Sequence, residues 1–490
     1  MTNAVVVGAG IAGIASAIRL SVKGFNVNVY ESNSYPGGKL SNIEGQGFRF
    51  DAGPSLFTMP QYVNELFELA GKDPKLSFNA QKLDLVCKYF YQDGTIINAW
   101  ADQEKFASEI EAKTSDTAKS VRIFLNKSRL IYKITHHIFL EKSLNLVSSY
   151  LNFNILKSVL SFLSIDPFRT MNSANQGFFR DNKTIQLFNR YATYNGSDPF
   201  QAPATLNVIS HLEHHYGAFF PVNGMYSITT ALVKLAEELG VKFHYNSLVE
   251  EVVVERGKVK GLRIKNKFVH AEVVVSNMDI WFTYKKLLPN LSMPKRILVQ
   301  ERSSSALIFY WGISKKFKEL HLHNIFFSEN YREEFRHIWK EKDICSDPTI
   351  YLNISSKYKP DDAPKGSENW FVMINVPANE GQDWNTLVAE ARKNILRKLS
   401  EKIGHDISEL IVFEEILDPR KIESKTSSYR GSIYGTSSNN RFAAFLRHSN
   451  FSNKIKNLFF VGGSVHPGGG IPLALLSAKI VDGLLPKNQK

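Results

Sequence analysis

An α/β fold in two joined domains is what this sequence predicts, and three observations carry it. The chain opens with VVVGAGIAGIASAIRL, in which Gly8, Gly10 and Gly13 stand in G-x-G-x-x-G spacing between an apolar run and a helical pattern. Two later stretches, within residues 216–281 and 431–490, read as further pieces of the same nucleotide-binding layer. The length of 490 residues exceeds one ordinary core, so two domains sharing an interrupted chain are expected. Residues 1–95, 216–281 and 431–490 are assigned to the nucleotide-binding domain, and residues 96–215 and 282–430 to a discontinuous second domain.

Each element follows from local chemistry. The four apolar residues Ala4 to Val7 read as a buried parallel strand, and Ile11, Ile14, Ala15 and Ile18 mark the next helix. Gly8 permits a tight turn, Gly10 a close backbone approach to a pyrophosphate, and Gly13 close packing of helix on strand. The helix start at Ile11 and Ala12 offers free N–H groups and a positive dipole end to phosphates. A second strand, Asn26 to Tyr30, runs into Glu31 and Ser32, where a carboxylate can accept hydrogen bonds from ribose hydroxyls. This combination is Rossmann-like, and a ligand-free glycine-rich turn does not account for Glu31.

The fingerprint alone does not separate NAD(P) from FAD. Gly37 and Gly38 follow six residues after the acid, then Lys39, and later Gly53, Pro54 and Ser55. A second glycine turn with a cation suits a longer dinucleotide gripped from two sides. On these residues the sequence resembles the flavin-dependent amine oxidase and phytoene desaturase superfamily. More narrowly it is similar to the bacterial-type carotenoid desaturases, and VYESNSYPGGKLSNIEGQGFRFDAGPSLFTMPQY looks closest to the 1-hydroxycarotenoid 3,4-desaturases. The resemblance implies FAD and an acyclic carotenoid substrate. Many relatives carry Arg where this chain has Lys39, a point charge without the bidentate fork.

In the middle nucleotide-binding segment, Tyr226 to Leu239 reads as a helix closed by Gly240. Strands are expected at 241–245, 248–255, 259–265 and 271–276, with Arg256-Gly257 as a turn. The resemblance implies that the Val249 backbone holds the adenine end; a plain strand residue is the equal alternative. In the C-terminal segment a strand at Leu458 to Val461 enters a glycine-rich loop with Gly463 and Ser464. Gly470, Ile471 and Pro472 then open a helix, with Pro where a missing N–H costs nothing. The similar family motif implies that this helix start faces the isoalloxazine ring and stabilises negative charge there when flavin is reduced.

From Ser120 to Thr170 apolar residues alternate with Arg122, Lys127, Arg129, Lys133, Lys142 and Lys157, while Ser143–Leu156 carries no charge. That pattern suits helices lying on an anionic bilayer, and it suits amphipathic helices on a core as well. The net charge of +13, from 60 Lys+Arg and 47 Asp+Glu, points to an anionic partner surface. No nucleic-acid motif is found, so an anionic membrane is the expected partner. No charge-free apolar run reaches ~18 residues, and no spanning helix is expected. Only Cys87 and Cys345 are present, which leaves no disulfide framework or Cys-based metal site and suits a reducing cytoplasm, and the basic-apolar stretch adds peripheral membrane attachment as the expected location.

No metal or nucleophile constellation is legible. His136-His137 and His214-His215 are adjacent pairs, and His211 with His215 lacks the acid placement of a zinc helix. The stretch NRYATYNGSDPFQAPATLNVI resembles a family motif, so Tyr191, Tyr194, Asn195 and Asp198 are cavity candidates. Asn195-Gly196 and Asp198-Pro199 are equally good turn pairs. A missing base is compatible with the implied reaction. Hydride loss from an allylic carbon to flavin N5 leaves a charge spread along the polyene, and a weak acceptor then takes the proton. Tyr194, Asp198 and His466 are the candidates for that role. One dinucleotide fingerprint leaves no second nicotinamide site, so oxygen or a membrane quinone is the expected electron acceptor. A phytoene desaturase, a redox-silent carotenoid isomerase and a soluble flavin amine oxidase are the alternatives.

Overall fold

The computed structural model describes residues 2–136, 165–440 and 446–485. A five-stranded parallel sheet gathers three distant parts of the chain in the order Lys242–His244, Asn26–Tyr30, Asn3–Val7, Val273–Ser276, Leu458–Phe460. Both faces are covered, which is why Ala4 to Val7 is apolar without alternation. Ala4 and Val6 pack into one core with the helices Ile11–Val22, Tyr226–Glu238 and Ile471–Leu484. Val5 and Val7 pack into another, beneath an antiparallel meander of Val249–Glu255, Lys258–Ile264 and Lys267–His270.

The expected elements of this layer form within a residue or two of their predicted ends, and Arg256 and Gly257 both turn through positive φ, +47° and +70°. The strand Lys267–His270 was not expected. Its sequence KFVH carries too few apolar residues to signal a strand, and it forms as the outer edge of the meander.

A seven-stranded mixed sheet is the second scaffold. Its order is Ile411–Leu417, Ser305–Ile313, Glu368–Val376, Ile350–Asn353, His323–Phe326, Leu85–Phe90, Ile96–Trp100. The hairpin of the last two strands straddles the boundary expected at residue 95 and pairs with this sheet, through Asn324 to Phe326 alongside Lys88 to Phe90. Alternate residues serve opposite faces. Leu307, Phe309 and Ile374 bury against the helix Trp384–Ile403, while Ala306, Ile308 and Met373 line a cavity.

The two scaffolds are tied by buried charge. Arg49 Nη2 lies 2.8 Å from Asp51 Oδ1, and Arg49 Nη1 lies 3.2 Å from Asp362 Oδ1. Asp51 also accepts the Met225 and Tyr226 N–H groups at 2.8 and 2.9 Å, where the helix Tyr226–Glu238 begins. Burial raises the Asp51 pKa, and Arg49 opposes that shift.

Among the described residues, no helix is long and apolar enough to cross a membrane. The charge-free stretch 143–156 expected to lie on a bilayer falls outside the described residues. Removing the cation from the buried cluster strands the Asp51 carboxylate. Arg49→Ala is therefore expected to cost about 3–5 kcal/mol, seen as a lowered thermal midpoint at fixed FAD concentration. A loss below about 1 kcal/mol, the size typical of exposed pairs, would mean that solvent reaches the cluster.

Candidate functional site: two glycine turns above an apolar cavity

The chain leaves its first strand at Gly8 and returns after Glu31 to lay a second turn against the first. The Gly37 N–H donates to Ala9 O at 2.8 Å, and Gly10 and Gly37 form a β-bridge. Gly37 holds φ +104°, which a side chain would strain, and a Cβ there would lie 2.2 Å from Leu40 O. Gly13 answers a different need, since a Cβ at that position would sit 2.2 Å from Gly8 O. At Gly10 a Cβ would meet Asn277 Nδ2 at 2.4 Å, so its smallness serves packing as well as any ligand.

These turns border a cavity of ≈ 780 Å³. Residues 10–12, 37–39, 53–55, 463–464 and 470–472 all line it, bringing together most of the residues expected to bind a cofactor. Two helix N-termini face it, at Ile11 and Ile471, and neither has a side-chain cap. Two uncapped helix starts bordering one cavity fit a cofactor with anionic phosphates and an electron-accepting ring.

Gly8, Gly13, Glu31, Ser32 and Val249 do not line the cavity. Gly8 and Gly13 shape the turn from behind. Glu31 is buried and partnered: Oε2 accepts the Ala9 N–H at 2.7 Å, and Oε1 accepts the Asn33 N–H at 2.8 Å. It therefore has a structural task that sequence reading did not foresee, fastening the first turn to the end of the second strand. Ser32 is exposed, with Oγ 3.2 Å from Glu31 Oε1. Val249 is buried in the core under the meander, two residues beyond Ser247, whose N–H donates to Glu31 O at 2.8 Å.

Lys39 is a cavity cation. Its Nζ donates to Ile433 O at 3.2 Å, and burial pulls its pKa down to about 8, partly offset by nearby Asp279. Asp279 is itself paired with Arg302 at 2.5 Å. A second cavity cation, Arg447, had no sequence signal. Its Nη2 donates to Thr436 O at 3.0 Å, and burial lowers its pKa to about 10.

Of the proton-acceptor candidates, Tyr194 and His466 line the cavity and Asp198 does not. Asp198 instead accepts from the Phe200 N–H at 2.8 Å and from Gln201 Nε2 at 2.7 Å, so the turn reading holds for it. Tyr194 belongs to a buried cluster with no sequence signal, because its members lie far apart in the chain. The Tyr191 and Tyr194 hydroxyls donate to opposite oxygens of Glu213, at 2.6 and 2.5 Å. Arg190 Nη2 donates to the Tyr89 and Tyr194 hydroxyls at 2.7 and 3.1 Å. Beside it, the Tyr351 hydroxyl meets Ser55 Oγ at 2.7 Å and His323 Nδ1 at 2.8 Å. Burial holds His323 down to about 3, so its imidazole is neutral. His211 stacks on His215 at 4.5 Å, and among the described residues no group of His, Cys, Asp or Glu is arranged to hold a metal.

A parallel sheet carrying paired glycine turns, joined to a cavity above a second sheet, defines a class of dinucleotide-dependent oxidoreductases. The chain belongs to the flavin containing amine oxidoreductase family, whose model matches residues 11–481. It is an oxidoreductase, and its cofactor is FAD. It is 48% identical over 488 residues to the 1-hydroxycarotenoid 3,4-desaturase of Flavobacterium sp. (strain P99-3), covering 99% of each chain. It is 34% identical to a 4,4'-diapolycopene oxygenase of Methylomonas sp, covering 97% of this chain and 96% of that one. Among solved structures, a putrescine oxidase variant matches with TM-score 0.63 at 14% identity, with 98% of each chain covered. An oxidoreductase from Methanosarcina mazei matches with TM-score 0.60 at 17% identity, covering 98% of this chain and 99% of that one.

The depressed Lys39 pKa gives a signed expectation. As pH rises through about 8 the free protein loses this cation. FAD affinity is then expected to weaken from about pH 7 to about pH 9.5, while Lys39→Arg stays charged and shows less dependence. Flavin fluorescence quenching on the apoprotein measures it. Equal pH dependence in the two proteins would remove Lys39 from the cofactor site.

Proposed function

We propose that this protein is a carotenoid desaturase that introduces the C3–C4 double bond into a 1-hydroxylated acyclic carotenoid. The observation that carries the reading is 48% identity along the whole chain to a relative named for that reaction. The cavity supports it, since Ile209, Leu212, Ile308, Ile325 and Met373 give a long hydrocarbon an apolar wall. A polar amine, the substrate class of a soluble amine oxidase, would find little to hold it along that wall.

In this reading bound FAD supplies the hydride acceptor at N5. The two glycine turns, the N–H groups at Ile11 and Ala12 and Lys39 would hold the pyrophosphate. Glu31 keeps one lone pair on Oε2 that would accept from a ribose hydroxyl, and the Val249 backbone would serve the adenine end. The N-terminus of the helix Ile471–Leu484 would favour negative charge on the reduced ring. The protein's other tasks are to align the allylic C–H bond and to exclude water. Tyr194, backed by Glu213, and His466 are the groups placed to take the proton. Cation delocalisation keeps the demand on them low. The electrons leave to oxygen or a quinone.

The site is reached from a membrane surface. On the helix Ala118–Thr135, exposed Ile123 and Leu130 stand among exposed Arg122, Arg129 and Lys133, a face suited to anionic lipid. Phe168 is exposed and also borders the cavity, which supports an apolar mouth on the protein surface.

Anaerobic mixing with a 1-hydroxylated acyclic carotenoid is expected to bleach the flavin absorbance. The product should be two hydrogens lighter and red-shifted, with bleaching slowed by deuterium at the allylic carbon. An isomerase would give neither bleaching nor mass loss. Substitution of Tyr194 or His466 should cost less than the ~10²–10⁴-fold typical of a full general base, and a larger loss would name the missing acid–base residue.

Binding to anionic liposomes should weaken with salt yet persist in part, because screening removes only the charge contribution. Equal sedimentation with neutral and anionic vesicles would overturn the electrostatic half of the membrane reading.

A further inference from the structure

We infer that Arg190 is the specificity-determining residue of this site, donating to an oxygen carried at the end of the substrate chain. The inference rests on the carotenoid reading above and sharpens it to one side chain.

Arg190 opens the short helical turn Arg190–Asn195, is 8% exposed and borders the cavity. Three tyrosine rings surround it, with its guanidinium carbon 5.0 Å from the Tyr194 centroid, 5.2 Å from Tyr89 and 5.4 Å from Tyr191. Burial opposes its charge, but the surrounding Tyr194, Tyr89, Cys87 and Glu213 outweigh that and keep it a cation.

Its hydrogen bonding is incomplete. A guanidinium has five N–H donors in a fixed fork, and here only Nη2 is engaged, by two tyrosine hydroxyls. Nε is sealed from water without a partner, and among the described residues nothing accepts from Nη1, which is not sealed in that way. No carboxylate forms an ion pair with it among the described residues. Glu213 is reached only through the Tyr194 hydroxyl. Arg19 and Arg302, as deeply buried, each pair with an acid, Glu65 and Asp279. Arg190, a residue of the cavity wall, thus keeps an open donor.

A pure hydrocarbon end would push water off that donor and leave a buried cation facing methyl groups. An oxygen in the same place accepts the bond. The reaction then constrains where the oxygen must sit. A hydroxyl on C1 is only two carbons from C3, so its anchor has to lie close to the cofactor's reactive end, not at the surface mouth. Arg190 is linked to the cofactor side of the cavity by a row of side chains: it bonds Tyr89, which stands in register with Ile325 and then Tyr351, and the Tyr351 hydroxyl meets Ser55 in the cavity-lining loop after Gly53. Ile308, Met373 and Ile325 stand in one register row with Tyr351 and give the hydrocarbon next to this polar end an apolar wall.

The test compares kcat/KM for two acyclic carotenoids of equal conjugation, with and without the 1-hydroxyl, on the FAD-loaded protein. Wild type should prefer the hydroxylated substrate by ~10²-fold or more, because sites built to bond a hydroxyl reject the analogue that lacks it. Arg190→Met should bring that ratio near one, because the hydroxylated substrate loses far more than the other. A preserved ratio in Arg190→Met, or equal use of both substrates by wild type, overturns this inference and leaves the desaturase reading standing. Oxidation of neither substrate by wild type overturns both. Should Arg190→Met fail to retain FAD, Arg190→Lys keeps the charge and loses the planar fork. Its ratio should fall at least tenfold, and an unchanged ratio overturns the assignment.

Discussion

The hydrogen bond from Gly37 to Ala9 closes the space in which everything else is arranged. It holds the return of the chain after the second strand against the exit from the first, and Glu31 fastens the same exit through the Ala9 N–H. With both groups of Ala9 engaged, the first turn cannot drift from its sheet. Asn277, itself on the cavity wall, fills the room that Gly10 leaves. Two helix N-termini reach that cavity from far-apart parts of the chain because their strands are neighbours or near neighbours in one sheet.

The second constraint is the cost of burying charge. Arg49 and Arg302 are each neutralised by an acid in hydrogen-bond contact, and each joins segments hundreds of residues apart or on different scaffolds. Lys39 and Arg447 rely mainly on carbonyl oxygens, and burial depresses both pKa values. A cavity that holds such underpaired cations favours anions, which suits phosphates and a ring that gains electrons.

The nucleotide-binding sheet was legible because its signals are local. Glycine spacing, the acid after the second strand, the Arg256-Gly257 turn and Pro472 at a helix start each act through the residue's own backbone geometry. The cavity wall was not legible for the opposite reason. Strands such as Ser305–Ile313 are buried on both faces, so SALIFYWGI gives no alternation to show which side meets a ligand. Glu213, which lies between His211 and His215 in the sequence but is misplaced for a zinc helix, accepts from two tyrosines at the cavity. Tyr89, Arg190 and Glu213 converge through tertiary folding alone, and no spacing rule joins them. Asp198 shows the converse: a residue that reads as reactive is spent on a turn.

The cavity's polarity is uneven, and that unevenness divides the work of the reaction. Proton removal from a delocalised cation is undemanding, so a tyrosine hydroxyl that passes its own proton to a carboxylate, as Tyr194 is bonded to Glu213, or an imidazole would serve. Registration is demanding, because a polyene presents many near-identical C–H bonds and an apolar wall does not tell one from the next. A single polar contact at the chain end fixes the count of carbons from that end, and each misplacement by one carbon would break it. Specificity for one bond therefore has to come from the polar end of the cavity. The neutral His323, held through Tyr351 and Asn353, keeps that end from acquiring a second positive charge beside Arg190.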